Sequence, residues 1–568
     1  MVFSIFLVFL SEILSDCCRC PLALGANNWY SISYMRFVSA KRVRRGDCRR
    51  AASTDARKYG RNARRFILKL YLFDNDYKYA LEQILLTMFP NERPEYPQGE
   101  PEGDRMELRM HRAAMRTTVT CQLYRGGKLY RGRAAVENKL MTNELLKDRY
   151  CQRLVKNAVY RAALASGVSR PAWGALTGVR PGKLMTPLLK EGLSEEEAAR
   201  AFTEKYDVTD ERARLCARTS RVTLEAEASL EENDICLYVG IPFCPTRCSY
   251  CSFVSQSVEK SMALITPYLA ALHQEIAATA QAVREVGGRV VAVYMGGGTP
   301  TTLSAEQLDA LCGCIEREFD LSHVREYTVE AGRPDTVTPE KLAVLRRHGV
   351  GRVSVNPQSM SDRVLEEIGR HHTAEDIVSA LKLVRAEGGF EVNMDLIAGL
   401  PRDTADGFRD TVDRVLALAP ENITVHTLSL KKGSRITRDG AALPSSGEVR
   451  VMLDYAADAL TAAGYNPYYL YRQKFMSGGF ENVGWEKGNT SSLYNICIME
   501  ELCTIVAVGA GGSTKLIRPG DGRNLRIMVP KYPQEYIQTI KKICADKKKL
   551  VRFYTLKEKE NDNGISAQ

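Results

Sequence analysis

Three cysteines, Cys244, Cys248 and Cys251, share one loop, Ile241-Pro242-Phe243-Cys244-Pro245-Thr246-Arg247-Cys248-Ser249-Tyr250-Cys251. The C-x3-C-x2-C spacing makes a claw for a soft metal centre. Zinc would want a fourth Cys or His at finger-like spacing. The next downstream candidate, His273, is 22 residues on and inside a helical pattern. A four-cysteine iron–sulfur site lacks its fourth ligand for the same reason. Three cysteines can instead hold three irons of a cubane and leave the fourth iron open, like the vacant position of a catalytic zinc site. An open iron can chelate a substrate.

The surrounding pattern says what positions such a loop. From Ile235 short apolar strands alternate with helical stretches: Ile235–Gly240, Val290–Met295, Glu326–Glu330, Arg352–Asn356, Glu391–Ile397 and Asn422–Leu428. Helical patterns lie between them, near Ser261–Val286, Ser304–Phe319, Pro339–His348, Ser361–Glu387 and Ala405–Leu418. Six strands with helical crossovers predict an α/β fold whose parallel sheet curls into a full or partial barrel. In such barrels the active site lies at the C-terminal strand ends. The cysteine loop follows the first strand. The second ends in Tyr294-Met295-Gly296-Gly297-Gly298-Thr299-Pro300, where glycine lets bare backbone approach a ligand.

With both features in place, the sequence resembles the radical S-adenosylmethionine (radical SAM) superfamily. Ile241-Pro242-Phe243-Cys244, the Gly296–Thr301 loop, Gln358, Gly369-Arg370 and Met394-Asp395-Leu396-Ile397-x-Gly399-Leu400-Pro401 narrow it. Together they resemble the oxygen-independent coproporphyrinogen III oxidase (coproporphyrinogen dehydrogenase) family. Leu176–Lys183 and a HemN-like C-terminal region look most like its HemZ branch. The resemblance covers roughly Phe66 to Val551. It implies a radical SAM partial (βα)6 barrel, a [4Fe-4S] cluster and S-adenosylmethionine as cofactors, and an oxidoreductase converting propionates of coproporphyrinogen III to vinyl groups. By motif position Cys244, Cys248 and Cys251 would hold the cluster. Tyr238 and Tyr250 would sit beside cluster and SAM. Gly297, Gly298 and Thr299 would meet the methionine amino group. Glu330, Gln358, Arg370 and Asp395, at successive strand ends, would contact the ribose and methionine ends. Two positions depart from the oxidase pattern. Gly240 stands where that branch commonly has His, and Phe253 where it often has a fourth cysteine. The Cys-x-Phe form resembles the haem-chaperone relatives, so haem binding and delivery is the alternative function, with radical SAM chemistry on another tetrapyrrole or small molecule a third.

Other segments invite chemistry and are read as structure. Val508–Lys515 lacks the Lys-before-hydroxyl order of a P-loop and reads as a tight glycine loop near the substrate pocket. His371 and His372, adjacent on a helix, would point apart. Cys312 and Cys314 read as buried hydrophobes, and the Lys541–Lys549 run as a solvated helix face. Arg180 and Lys183 read as solvated turn charges. Tyr468-Tyr469-Leu470-Tyr471-Arg472-Gln473-Lys474 could offer faces and cations to a propionate-rimmed macrocycle or form a surface strand.

The 568 residues predict several domains. The boundaries read 1–65, a basic extension; 66–230, a small α+β domain; 231–430, the radical SAM core; and 431–568, the HemN-like region and tail. Within 66–230 the expected elements are a strand at Phe66–Phe73, a helix at Tyr77–Phe89, a loop at Pro90–Gly103 and a hairpin turning at Arg125-Gly126-Gly127. Helices are expected over Glu137–Ala165 and Ser194–Leu230. The net charge of +11 is mostly local, since residues 1–65 hold 13 Lys/Arg against 4 Asp/Glu. That argues against a nucleic-acid partner, and the extension reads as a dispensable tail or a mis-assigned start. No run of eighteen apolar residues occurs, so no membrane span is expected. Of the sixteen cysteines, Cys17, Cys18, Cys20 and Cys48 fall in the extension and the rest, outside the loop, look scattered. This predicts a reducing, cytoplasmic setting. The implied partners are a tetrapyrrole substrate and an electron donor for the cluster.

Overall fold

The computed structural model describes residues 66–251, 256–257, 261–431, 434–473, 477–518 and 524–562. The basic extension, Phe253 and Lys474 lie outside the described residues.

The first sheet is built from β1 (Phe66–Phe73), β2 (Glu92–Glu95), β3 (Arg105–Arg112), β4 (Arg116–Arg125) and β5 (Lys128–Glu137), in the order β2-β1-β3-β4-β5. Helices α1 (Lys78–Met88) and α2 (Glu144–Ala165) close its core, where Leu70, Ile84, Met106, Val119 and Val155 are buried together. The hairpin turn from β4 to β5 is Gly126-Gly127, with φ of 55° and 74°. Two consecutive left-handed residues match a primed turn to the strand twist, and glycine adopts them without strain. Two strands depart from the sequence reading. The expected loop at Pro90–Gly103 contains β2, which pairs parallel with β1. As an edge strand β2 tolerates Pro94, and the proline and acid content hid it. β3, to which no element had been assigned, pairs with both β1 and β4.

Three helices follow: α3 (Gly182–Lys190), α4 (Glu195–Tyr206) and α5 (Asp210–Ala228). The expected single stretch breaks at Asp207, which is left-handed, and α4 begins with a Ser194/Glu197 capping box. Their apolar faces share a core with the barrel: Trp173, Phe202 and Cys216 cluster with Leu237 and Val293.

The second sheet has eleven strands. Its centre is six parallel strands: β6 (Asp234–Ile241), β9 (Arg289–Gly297), β10 (Glu326–Val329), β11 (Arg352–Ser354), β12 (Glu391–Ala398) and β13 (Asn422–Thr427). The short pair β7 (Phe243–Cys244) and β8 (Gln256–Ser257) lies between β6 and β9 in sequence. The crossovers are α6 (Ile265–Glu285), α7 (Ala305–Glu318), α8 (Pro339–Arg347), α9 (Asp362–Glu367) with α10 (Ala374–Glu387), and α11 (Ala405–Ala417). This is the expected partial (βα)6 barrel. It stays open because strands are added at both ends. After α12 (Arg435–Asp439) and α13 (Ser446–Ala462), β14 (Asn466–Arg472) and β15 (Glu481–Glu486) extend the β13 end antiparallel. At the other end β16 (Thr504–Val508) runs parallel to β6, followed by antiparallel β17 (Ser513–Ile517) and β18 (Asn524–Met528). The helices α15 (Pro533–Asp546) and α16 (Lys548–Asp562) come last.

Alternation along β6 separates two environments. Ile235, Leu237 and Val239 face the helical layer, whereas Cys236 and Tyr238 face inward. The interior is filled by α14 (Leu493–Glu500), whose Tyr494, Ile496 and Cys497 pack against Cys236, Tyr238 and Tyr294. Ser492 Oγ and the Tyr494 N–H bond the Glu326 carboxylate at 2.7 and 3.2 Å and anchor the start of that helix.

Several expectations change here. Arg180 is no solvated charge, since its guanidinium pairs with Glu501 at 2.5 Å; Lys183 is exposed, as expected. Lys547 is buried, with its ammonium 2.6 Å from Glu275. Cys312 and Cys314 are buried, as read. His372 is buried, and burial pushes its imidazole down to about 3, so it is neutral. The surface-strand reading of Tyr468–Gln473 fails. Tyr468, Tyr469 and Tyr471 are buried on β14 because they pack into the barrel-interior cluster with Tyr494 and Ile496. Arg472 donates to Leu176 O at 2.7 Å and Gly178 O at 3.3 Å, and its N–H bonds Val179 O. The cysteines outside the motif loop are not all scattered, because Cys236, Cys497 and Cys503 meet in the barrel interior.

Candidate active site

The cysteine loop is fixed by backbone before any side chain acts. The Ser249 N–H bonds Ile368 O at 2.8 Å and its carbonyl accepts from Ile436 N–H at 3.2 Å. Across from it, Gly298 N–H and Thr299 N–H bond the Ile241 and Phe243 carbonyls, each at 2.7 Å. A Cβ on Gly298 would sit 2.4 Å from Phe243 O, so only glycine allows the two loops to close. Thr299 Oγ1 then lies 3.6 Å from Cys244 Sγ. With those N–H groups occupied, what the glycine loop can offer an amino group is carbonyl oxygen, which is the complementary partner.

Cys244, Cys248 and Cys251 are half-buried on one cavity wall with Tyr250, Gly297, Gly298, Thr299, Glu330, Gln358, Arg370 and Asp395. Of the residues singled out in the sequence, Tyr238 alone stays off that wall. It is buried below Gly297 and packs against both Tyr294 and Tyr494, with ring centroids at 6.4 and 6.3 Å. The Val508–Lys515 glycine loop also lies elsewhere. It packs on Gly240 and α6, with Gly509 N–H on Glu275 at 2.8 Å and Ala510 N–H on Tyr268 OH at 2.9 Å.

The electrostatics suit a thiolate ligand set. Burial opposes ionisation of the Cys248 thiol, yet the guanidiniums of Arg370 and Arg333 outweigh it and hold the thiol below its ordinary value. Arg333 Nη1 is 3.9 Å from Cys248 Sγ, and Arg370 Nη2 donates to Tyr250 OH at 3.3 Å. Glu330 accepts from Tyr294 OH at 2.6 Å and from Gly297 N–H at 3.3 Å. Burial lifts the Asp395 carboxyl to about 6, against a bond from Asn393 Nδ2 at 2.9 Å. The nearby His426 ring is pushed down to about 3 by burial, so the pair at 3.8 Å is not an ion pair.

Gln358 is a non-glycine residue at φ 68°, held there by Gln358 N–H on Asp395 O and Ile397 N–H on Gln358 O. Its buried Oε1 has no hydrogen-bond partner. Arg333 Nη2 is likewise buried and unpartnered. Orphaned polar atoms cost about 1–3 kcal/mol each, so they mark where a ligand completes the site. An amide acceptor suits a ribose hydroxyl and a guanidinium suits a carboxylate. Three cysteines with an adjoining polar cavity therefore fit a cluster with one open iron and a nucleoside-bearing amino acid beside it.

Sequence reasoning missed Arg333, Asn356, His426, Lys431 and Asn482, all of which line the cavity. Arg333 and Asn356 could have been found as polar residues within three positions of predicted strand ends. His426 is a polar residue on the inward phase of the sixth strand. Asn482 comes from β15, which no periodicity marked as a wall of this site.

The Radical SAM superfamily model matches residues 238–415. The chain is 41% identical over 369 residues to the oxygen-independent coproporphyrinogen-III oxidase-like protein HemZ of Bacillus subtilis (strain 168), covering 64% of this chain and 74% of that one. It is 27% identical over 304 residues to the heme chaperone HemW of Haemophilus influenzae, covering 53% of this chain and 75% of HemW. Among solved structures, coproporphyrinogen III oxidase (HemN) from Escherichia coli aligns at 25% identity and a TM-score of 0.46, covering 57% of this chain and 72% of HemN. The cofactors are a [4Fe-4S] cluster and S-adenosylmethionine. With the barrel, the cysteine loop and this degree of identity to HemZ, the chain belongs to the oxygen-independent coproporphyrinogen-III oxidase-like family of radical SAM proteins.

Proposed function

We propose that this chain catalyses the oxidative decarboxylation of two coproporphyrinogen III propionates to vinyl groups, giving protoporphyrinogen IX. The observation that carries the reading is the composition of the cavity, which runs from the cysteine loop across the strand ends to Lys431, Tyr471 and Gln473. Burial pushes the Lys431 ammonium down to about 8, so a propionate partner would gain by pairing with it. Tyr471 adds an aromatic face for the macrocycle.

In this reading Cys244, Cys248 and Cys251 hold the cluster, and Arg370 with Arg333 keeps Cys248 ionised as a ligand. Gly297, Gly298 and Thr299 meet the methionine amino group, while Gln358 Oε1, Glu330 and Asp395 hold the ribose and methionine ends. Tyr250 orients Arg370, and Tyr238 supports the glycine loop from below. Once bound and reduced by an external electron donor, the cofactors would supply a 5′-deoxyadenosyl radical to take a propionate β-hydrogen, and the vinyl group would follow by loss of CO2 and of one electron to an external one-electron acceptor. The protein's part is to fix that carbon against the cavity wall and exclude side reactions.

A second reading, haem binding and delivery without decarboxylation, is favoured by the similarity to HemW and by Phe253 after Cys251. An anaerobic assay of the reconstituted protein with SAM, a low-potential reductant and coproporphyrinogen III separates the two. Protoporphyrinogen formation is expected; its absence together with stoichiometric haem binding would overturn the oxidase reading.

A further inference from the structure

We propose that Cys236, Cys497 and Cys503 form a second metal centre at the floor of the barrel, for a single copper(I) ion held by three thiolates. The three sulfur atoms lie within 4.8 Å of one another and all three residues are buried. They come from the start of β6, the body of α14 and the residue before β16. Cys236 Sγ and Cys503 Sγ are 3.6 Å apart. A metal–sulfur bond of about 2.3 Å sets two thiolates about 3.8–4.0 Å apart around one ion. The spacing therefore suits a mononuclear centre. A cubane places each thiolate on a different iron and needs wider spacing.

The turn that brings two of the ligands together is rigid. Glu501 is left-handed at φ 57°, and Leu502 N–H bonds Cys497 O at 3.2 Å, a 6→1 Schellman closure. Glu501 is held in that conformation by Arg180 and Lys515. Cys503 is thereby folded back against Cys497.

The choice of ion follows from ligand count and surroundings. Among the described residues no fourth Cys, His, Asp or Glu joins the group. Structural zinc takes four protein donors. The side chains packed with these sulfurs include Ala292, Ile496 and Ile505, and the polar groups that act on the thiols are the Tyr494 hydroxyl, Asp234, Arg325 and Glu326. Copper(I) is soft and accepts thiolates alone. A cavity of about 610 Å³ at the floor shares Val222, Ala226 and Ile496 with the cysteine cluster and is otherwise lined by charged groups such as Arg325, Glu326 and Arg352. The site is separate from the motif cysteines, since Cys236 to Ile241 along β6 spans about 16 Å.

The test equilibrates the reconstituted holoprotein anaerobically with Cu+, or in a separate arm Zn2+, each buffered by a competing chelator. Retained metal, iron and sulfide are then measured. One equivalent of copper is expected beyond the cluster iron, with X-ray absorption giving three sulfur neighbours. Cys497→Ser should lower copper occupancy at least tenfold and keep iron and sulfide. Cys248→Ala should do the reverse, so failure here is distinguishable from failure of the cluster assignment. If Cys497→Ser does not fold, Cys236→Ser in parallel carries the same expectation. No copper retained, copper retained equally in the serine variants, or preferential retention of zinc would each overturn the proposal.

Discussion

At the scale of single residues, the site depends on charges and carbonyls placed around sulfur. Arg370→Gln removes the larger of the two cationic influences on Cys248. In cluster-free protein at pH 7 its alkylation should slow about tenfold, read by mass spectrometry at that peptide; an unchanged rate would show that Arg333 suffices. Gln358 makes the complementary case. Gln358→Gly relieves a left-handed conformation costing about 1–2 kcal/mol and removes the unpartnered acceptor. Unfolding temperature should hold or rise, while SAM binding by calorimetry weakens about tenfold. These residues were legible because their types fall at strand ends, where a barrel gathers function. Lys431 and Asn482 were not, because their place on the wall depends on how the sheet continues beyond β13, and no local pattern encodes that.

At the scale of elements, α14 and the loop before α11 show packing and titration at work. Tyr494 is fully buried in a three-ring group with Tyr238 and Tyr294, 4.5 Å from the latter's centroid. Tyr494→Ala should cost about 3–5 kcal/mol in denaturant unfolding. Asp403, just before α11, is buried with Oδ2 unpartnered, and burial lifts its carboxyl to about 6. A carboxyl raised above its unfolded value helps the fold fully at pH below about 4. That advantage is lost as pH climbs through about 6, where the folded state must carry the charge. Asp403→Asn should therefore match the parent at pH 4 and gain up to about 3 kcal/mol at pH 8, measured by paired melts. The parallel strands were readable because buried β/α units give near-continuous apolar runs bounded by amphipathic helices. β2 was unreadable for the opposite reason: an edge strand with alternating Glu, Arg and Pro has no apolar run to find.

At the scale of the whole molecule, the strap formed by residues 172–180 against Arg472 at the sheet edge joins segments far apart in the chain. Arg472 is buried against Leu176 O, Gly178 O and Gly479 O, with its guanidinium 5.1 Å from the Trp173 ring centroid. Arg472→Ala leaves these carbonyls without their donor and should cost about 2–4 kcal/mol. Because Gln473 and Tyr471 beside it line the cavity, the variant should also, under the proposed function, raise KM for coproporphyrinogen III more than it lowers kcat. No helix among the described residues is long and apolar enough to cross a membrane. The strap also sets an order of events during synthesis. Arg472 follows Leu176 by 296 residues, which at roughly 5–20 residues per second is a delay of about 15 s to 1 min. Residues 66–165 have a core of their own and can fold as they leave the ribosome. Trp173 and its neighbours must wait, uncovered, until the strand they bind has been made.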